Sequence, residues 1–219
     1  MQSKFSESKT QTQDGVLSYE GIKKVPQQKH FHRRNLPHLY YTEGIYFVTY
    51  RLYDSIHSNE LAKLQLSNKQ LTDAEQKKLF KKYDELLDKP HNDIKYLTKK
   101  EVAEICKNSI LHFDGKDIEV ICFCIMPNHI HLVFEIINKN KMVGDIMASI
   151  KKFSARKANK ALKRIGKFWQ AESFDRLVRD EKELYNIIKY VLLNPVNAGL
   201  VEDHKYWQYT YCKKEYLTL

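Results

Sequence analysis

The sequence predicts an α+β fold, in which a ferredoxin-like antiparallel sheet carries helices on one face and a helical insertion follows the first strand. Three observations support this prediction. Segments with strand and helix character follow one another in the order strand, helices, strand, strand, helix, strand, helix. Two of the strands are separated only by a Pro-Asn dipeptide at 127–128, which is typical of a tight hairpin. The residues between about 59 and 113 contain more helix than one crossover requires, which indicates an insertion.

The strands are recognised by their residue types. Residues 45–52 (IYFVTYRL) are rich in β-branched and aromatic side chains, which favour extended structure. The two hairpin strands read IEVICFCIM and HIHLVFEI, and the first of them is apolar on both faces, as expected of a central strand. Residues 168–179 (FWQAESFDRLVR) predict the last strand of the sheet.

The helices are recognised by their capping residues and their apolar periodicity. Thr72 and Thr98 are the predicted N-caps of two helices that precede the hairpin. A long basic helix is predicted from residue 143 to about residue 165. Asp180 is the predicted N-cap of the final helix, which Pro195 should end because proline cannot donate the next helical hydrogen bond.

The length of 219 residues suits one domain. We expect a mobile tail at 1–29, a domain at 30–205 with its insertion at about 54–113, and a C-terminal extension at 206–219. No apolar run reaches membrane-spanning length, and the N-terminus lacks the apolar core of a signal peptide. The sequence therefore predicts a soluble, cytoplasmic protein that does not act on membranes, and it leaves open whether the protein is a monomer or a homodimer.

The charge balance favours a polyanionic partner. Lys and Arg number 37 against 27 Asp and Glu, a formal net charge of +10, and no acidic residue lies between Asp145 and Glu172. Nucleic acid is the first candidate partner, an anionic membrane surface is the second, and a basic protein without such a partner is the alternative. The basic helix lacks the broad apolar face of a membrane-surface helix.

Basic and aromatic residues in this acid-free stretch are therefore candidate nucleic-acid contacts, and Arg33 and Arg34 near the N-terminus are two further candidates. Phosphates would be met by cations, and unpaired bases would stack on Trp169. The alternative is a solvated helix face beside core aromatic residues. The candidate contacts are Arg33, Arg34, Lys151, Lys152, Arg156, Lys157, Lys160, Lys163, Arg164 and Trp169.

Two histidines stand one residue apart on the second hairpin strand. Because side chains alternate along a strand, His129 and His131 point to the same face. Two imidazoles on one face can bind a divalent ion, provided that further ligands complete the site. The alternative is a hydrogen-bonded structural pair on a polar sheet face.

Two polar residues share a face of the final helix. Tyr190 and Asn194 are four positions apart, so they lie one helical turn from each other. Asn194 stands where the helix should stop, so its amide would be able to point at a ligand. For Tyr190 the alternative is an amphipathic residue at the edge of the core.

Two motifs together resemble a known family. The phrases MPNHIHLVF and YVLLNPVNAGLV are similar to those of the REP-associated tyrosine transposases, which are relatives of the single-strand insertion-sequence transposases with a His-hydrophobic-His motif. The segments RRNLPHLYYTEGIYFVTYRL and FWQAESFDRLVRDEKEL also look like parts of this family. The resemblance covers roughly residues 31–202.

The resemblance implies a role for each matching residue. His129 and His131 match metal-binding histidines, Tyr190 matches the nucleophile, and Asn194 matches the polar residue that completes the metal site. The implied reaction cleaves and rejoins single-stranded or hairpin DNA through a 5′-phosphotyrosine, with Mg or Mn as the ion. Because neutral imidazoles bind metal, activity should fall in mild acid. The alternatives are a non-catalytic nucleic-acid-binding module on the same fold and a hydrolytic metallonuclease.

Overall fold

The computed structural model describes residues 30–33, 37–40, 43–64, 72–89 and 91–217. The predicted tail at 1–29 lies outside these residues. A small two-stranded sheet comes first, formed by β1 (His30–Arg33) and β2 (Pro37–Tyr40). Within the described parts of the chain, no helix is both long enough and apolar enough to cross a membrane.

The main sheet confirms the predicted α+β class. Its five strands are antiparallel and lie in the order β6-β3-β5-β4-β7. The first four form the β-α-β-β-α-β arrangement of the ferredoxin-like fold, and β7 adds an edge strand from within the predicted C-terminal extension. The strands are β3 (Gly44–Arg51), β4 (Ile118–Ile125), β5 (His129–Ile136), β6 (Phe174–Leu177) and β7 (Thr210–Cys212).

In the part of the chain that the structure describes, five α-helices surround this sheet. Two of them, α3 and α4, are the crossovers of the ferredoxin-like unit. The region predicted as the insertion, 54–113, contains α1 and α2 and also the crossover α3. The helices are α1 (Ser58–Lys63), α2 (Asp73–Leu87), α3 (Lys100–Leu111), α4 (Val143–Ala161) and α5 (Glu181–Asn197).

The helices lie on both faces of the sheet, which differs from the predicted one-face arrangement. The crossovers α3 and α4 pack on the side that carries Val48 and Leu132, which we call the α4 face. Helix α5 packs on the opposite side, which carries Phe47 and Val133 and which we call the α5 face. The reason is that the three central strands are buried on both sides, so a helical layer is needed over each.

Some element boundaries also differ from the prediction. Thr98 does not cap α3, because its hydroxyl donates to the Lys95 carbonyl in the preceding turn. The predicted strand at 168–179 is confined to Phe174–Leu177. Helix α5 continues through Pro195 to Asn197, although proline provides no N–H for the bond to the carbonyl four residues earlier. The N-caps Thr72 and Asp180 are confirmed.

Candidate active site

The two histidines of β5 lie side by side on the α5 face. His129 is 1% exposed and His131 is fully buried, so both imidazoles are removed from solvent. The register places His131 opposite Thr49 of β3. The Nε2 atoms of His129 and His131 are 3.0 Å apart. The sequence prediction that both side chains share one face is therefore confirmed.

The Nδ1 atom of each imidazole lies within hydrogen-bond distance of a neighbouring side chain. Asn128 donates from Nδ2 to the carbonyl of Leu87, the last residue of α2, at 2.8 Å. Its Oδ1 is thus turned toward His129 Nδ1, 2.6 Å away, and accepts a hydrogen bond from that nitrogen. The proton of neutral His129 is therefore on Nδ1, which leaves Nε2 with a free lone pair. His131 Nδ1 lies 2.8 Å from the Thr49 hydroxyl, which is able to donate or accept.

Burial keeps both imidazoles neutral. Loss of solvent lowers the pKa of His129 to about 3, and it holds the pKa of His131 well below the usual range. The neutral form is the one that binds metal ions. Both pKa values lie below mildly acidic pH. Protonation of these imidazoles would therefore not cause the fall in activity that the sequence predicts in mild acid.

Helix α5 brings two polar groups to the histidines. The Tyr190 hydroxyl lies 3.3 Å from His131 Nε2, and Asn194 Nδ2 donates to the same hydroxyl at 3.0 Å. The shared helical face of Tyr190 and Asn194 is therefore confirmed. The Tyr190 ring packs edge-on against Phe47 and Phe80. Burial raises the pKa of Tyr190 above its ordinary value, and the negative charge of Asp84 raises it further.

Helix α2 contributes a carboxylate that sequence reasoning missed. Asp84 Oδ1 lies 3.7 Å from His131 Nε2, and burial raises the pKa of Asp84 to about 6, although a hydrogen bond with Tyr190 opposes this rise. The sequence offered one signal, since Asp84 follows Tyr83 directly on a helix whose buried side also includes Leu79. That pattern shows that Asp84 lies near the buried side of α2, but it does not show where α2 docks.

The donor set fits a divalent ion. Two nitrogen ligands bound at right angles to an ion about 2.1 Å away are about 3.0 Å apart, which matches the separation of the two Nε2 atoms. Asn194 Oδ1 is buried and, within the described residues, accepts no hydrogen bond. Buried oxygen atoms normally have a partner, so this unsatisfied oxygen beside the free Nε2 lone pair of His129 and the Nε2 atom of His131 is the arrangement expected of a metal site.

The structure contradicts the predicted base-stacking role of Trp169. The side chain is 7% exposed and donates from Nε1 to the Ser154 hydroxyl at 2.9 Å. Its ring packs against Tyr50 and Phe168 in the core beneath α4. A ring enclosed in this way has no face available to a nucleotide base.

Two of the predicted phosphate contacts are engaged within the protein. Lys151 donates to the carbonyls of Gln170 and Ala171, and burial lowers its pKa to about 8. Arg164 donates to Asn159 and lies over the Tyr96 ring. Both side chains hold the chain that follows α4. The candidates that remain exposed are Lys152, Arg156, Lys157, Lys160 and Lys163.

The exposed cations of α4 lie across the sheet from the histidines. Helix α4 covers the α4 face, whereas His129, His131 and Tyr190 are on the α5 face. The sequence did not separate these two locations. Of the two N-terminal candidates, Arg33 is the last residue of β1, and Arg34 lies outside the described residues.

A pocket of about 600 Å³ opens beside Tyr190 on the α5 face. Phe47 and Phe80 contribute apolar side chains to its wall. Its polar lining includes four cations and two carboxylates, namely Lys77, Arg176, Arg179, Lys182, Asp180 and Glu183. Arg176 forms an ion pair with Glu183. The lining is therefore net positive and leads directly to the Tyr190 side chain.

Comparison with known proteins identifies relatives of this chain. A Haemophilus influenzae protein provisionally named a REP-associated tyrosine transposase is 31% identical over 101 residues, which cover 42% of this chain and 57% of that protein. The chain thus matches little more than half the length of that relative. A solved structure of the REP-associated tyrosine transposase bound to a REP hairpin is similar over 83% of this chain and 81% of that chain, at 15% identity and a TM-score of 0.48.

A family model matches a longer part of the chain than the Haemophilus influenzae relative does. The model described as "Transposase IS200 like" matches residues 70–192, which is more than half of the sequence. The matched stretch contains both histidines and Tyr190. The resemblance inferred from the two motifs is thereby confirmed, and the chain belongs to the IS200-like transposase family.

Proposed function

We propose that this protein is a cytoplasmic, metal-dependent transposase that uses Tyr190 to cleave and rejoin single-stranded or hairpin DNA. The observation that carries this proposal is the Tyr190 hydroxyl 3.3 Å from His131 Nε2, in a pair of imidazoles whose Nε2 atoms are 3.0 Å apart. Family membership and the similarity to a relative named for a tyrosine transposase support it. Both histidines and the tyrosine belong to one chain, so one copy carries these groups whether the protein acts as a monomer or a homodimer.

The reaction exchanges one phosphodiester for another. The Tyr190 oxygen forms a bond to phosphorus, the bond from phosphorus to the 3′ oxygen breaks, and the strand ends with a 3′-hydroxyl and a 5′-phosphotyrosine. The proton that leaves the phenol balances the proton that the 3′ oxygen gains. A Mg or Mn ion held by His129, His131 and Asn194 would polarise the scissile phosphate. Attack by a 3′-hydroxyl on the phosphotyrosine reverses these steps and rejoins DNA without ATP.

The chain's own residues prepare this chemistry. Asn128 and Thr49 form hydrogen bonds with the Nδ1 atoms of His129 and His131 and thereby orient the two rings. Both Nε2 atoms then face the same point. Asn194 donates to the Tyr190 oxygen and holds it toward the histidines. Burial of the two histidines limits the access of water from their side of the site, which favours strand transfer over hydrolysis.

The test is a search for the covalent intermediate. The full chain is incubated with labelled hairpin DNA from the region flanking its own gene, with Mg or Mn, and the products are separated on a denaturing gel. We expect a protein–DNA adduct that disappears with chelator, returns when the ion is restored, and maps to the α5 peptide that contains Tyr190. Cleavage without an adduct would instead indicate hydrolysis, and binding without cleavage would indicate a non-catalytic module.

The cationic pocket is the proposed path of the scissile strand. We expect the double variant R179A/K182A to weaken binding of a short single strand and to reduce the salt dependence of log K by roughly 0.7 for each phosphate that the variant no longer neutralises. The matched variant K152A/R156A removes the same charge from α4, on the opposite side of the sheet. It should leave the short strand unaffected and weaken only longer hairpins that also reach α4. Equal effects of the two variants on the short strand, measured by fluorescence anisotropy across a salt series, would contradict this path.

A further inference from the structure

The Asp84 carboxylate lies at the edge of the histidine pair without a cationic partner. Its Oδ1 is buried and makes no hydrogen bond within the described part of the chain. The ligand atoms of Asp84, His129 and His131 all lie within 4.8 Å of one another. Among the described residues no lysine or arginine forms an ion pair with Asp84, and the nearby carboxylates of Asp88 and Glu85 carry the same charge as Asp84. A buried anionic oxygen left in this state is unfavourable unless a cation joins it.

The docking of α2 fixes the position of this carboxylate. Tyr83 and Leu87 flank Asp84 on the helix and are each 1% exposed, packed in a core cluster that includes Phe174 of β6. The Leu87 carbonyl accepts the hydrogen bond from Asn128, the residue that orients His129. The helix is thus held at its buried side and at its C-terminal end, with Asp84 between the two contacts.

The chemistry of the ion favours an additional oxygen ligand. Mg and Mn prefer carboxylate oxygen, and two imidazoles with one neutral amide form a weak set for either ion. We propose that Asp84 is a ligand of the divalent ion together with His129 and His131. Helix α2 then completes the metal site, and the bound ion ties α2 to the strand that carries the histidines. This inference rests on the proposed function, because it concerns the same ion.

Titration of the full chain with Mn, followed by electron paramagnetic resonance, tests this ligand. We expect D84N to bind Mn at least about tenfold more weakly than the unmodified protein, since even groups that only support ligands change metal affinity by roughly 10–100-fold. The control is E85Q, which removes one carboxylate from an exposed position on the same helix and should leave the affinity unchanged. An affinity of D84N equal to that of E85Q would overturn the inference.

A measurement without any variant guards against misfolding. Hydrogen exchange of the unmodified protein should slow across α2 when Mn is added, because an ion bound to Asp84 restrains that helix. Protection confined to β5 and α5 would contradict the ligand role. If D84N keeps its Mn affinity while the unmodified protein forms the metal-dependent adduct, only this inference fails. If the unmodified protein neither binds Mn nor forms an adduct, the proposed function fails with it.

Discussion

Replacing Tyr190 by phenylalanine is expected to abolish the covalent adduct and to lower the cleavage rate by roughly a thousandfold or more, as removal of a nucleophile does in other covalent catalysts. The substitution deletes one oxygen atom, the atom that lies 3.3 Å from His131 Nε2. The ring that packs against Phe47 and Phe80 remains, so the fold should be retained. Binding of hairpin DNA and of Mn should therefore persist while cleavage is lost.

The matched control for this experiment is Y185F. Tyr185 lies on the same helix, is 39% exposed, and loses the same atom. Its cleavage rate should equal that of the unmodified protein. Single-turnover cleavage of labelled DNA on a denaturing gel measures both variants. A Y190F protein that cleaves at the unmodified rate would show that water, and not the tyrosine, attacks phosphorus.

Replacing Trp169 by alanine is expected to lower the free energy of unfolding by about 3–5 kcal/mol, the range found when a large buried aromatic side chain is deleted. The indole fills the space between Tyr50 and Phe168 and also donates to Ser154 at 2.9 Å. W169F keeps a ring and loses mainly the hydrogen bond, so it should lose less. Urea denaturation measures both changes.

The control for the buried tryptophan is an exposed aromatic residue on the neighbouring helix. Phe153 of α4 is 37% exposed, and F153A should lower the free energy of unfolding by no more than about 1 kcal/mol. DNA affinity, measured under conditions in which each variant is folded, should not depend on Trp169. A W169A protein of unchanged stability that has lost DNA affinity would restore the stacking role expected from the sequence.

The parts of the site that share one element could be predicted from the sequence. The alternation of a strand places His129 beside His131, and the turn of a helix places Tyr190 beside Asn194. Each inference needs only the period of a regular element. That these two pairs meet followed from the resemblance of the motifs to a family, since nothing in either period relates β5 to α5.

The parts that depend on how elements dock could not be predicted. The cations between Asp145 and Glu172 indicate a charged surface, but the sequence does not show which side of the sheet that surface covers. Trp169 was misinterpreted because only Phe174–Leu177 of the predicted strand pairs in the sheet, while Trp169 makes a single bridge to Leu52 and turns inward. Asp84 was missed because its distance from the histidines is set by the packing of α2, which no local pattern encodes.

The position of Tyr190 after the two histidines in the sequence has a consequence for synthesis. His131 and Tyr190 are 59 residues apart, and α5 packs on a sheet whose strands come from widely separated parts of the chain. Contacts between distant segments form slowly, and domains are made from the N-terminus onward at roughly 5–20 residues per second. A nascent chain therefore presents the histidine pair several seconds before the nucleophile has emerged. The protein becomes able to break a DNA strand only after nearly all of its sheet is available to hold the reacting groups in place.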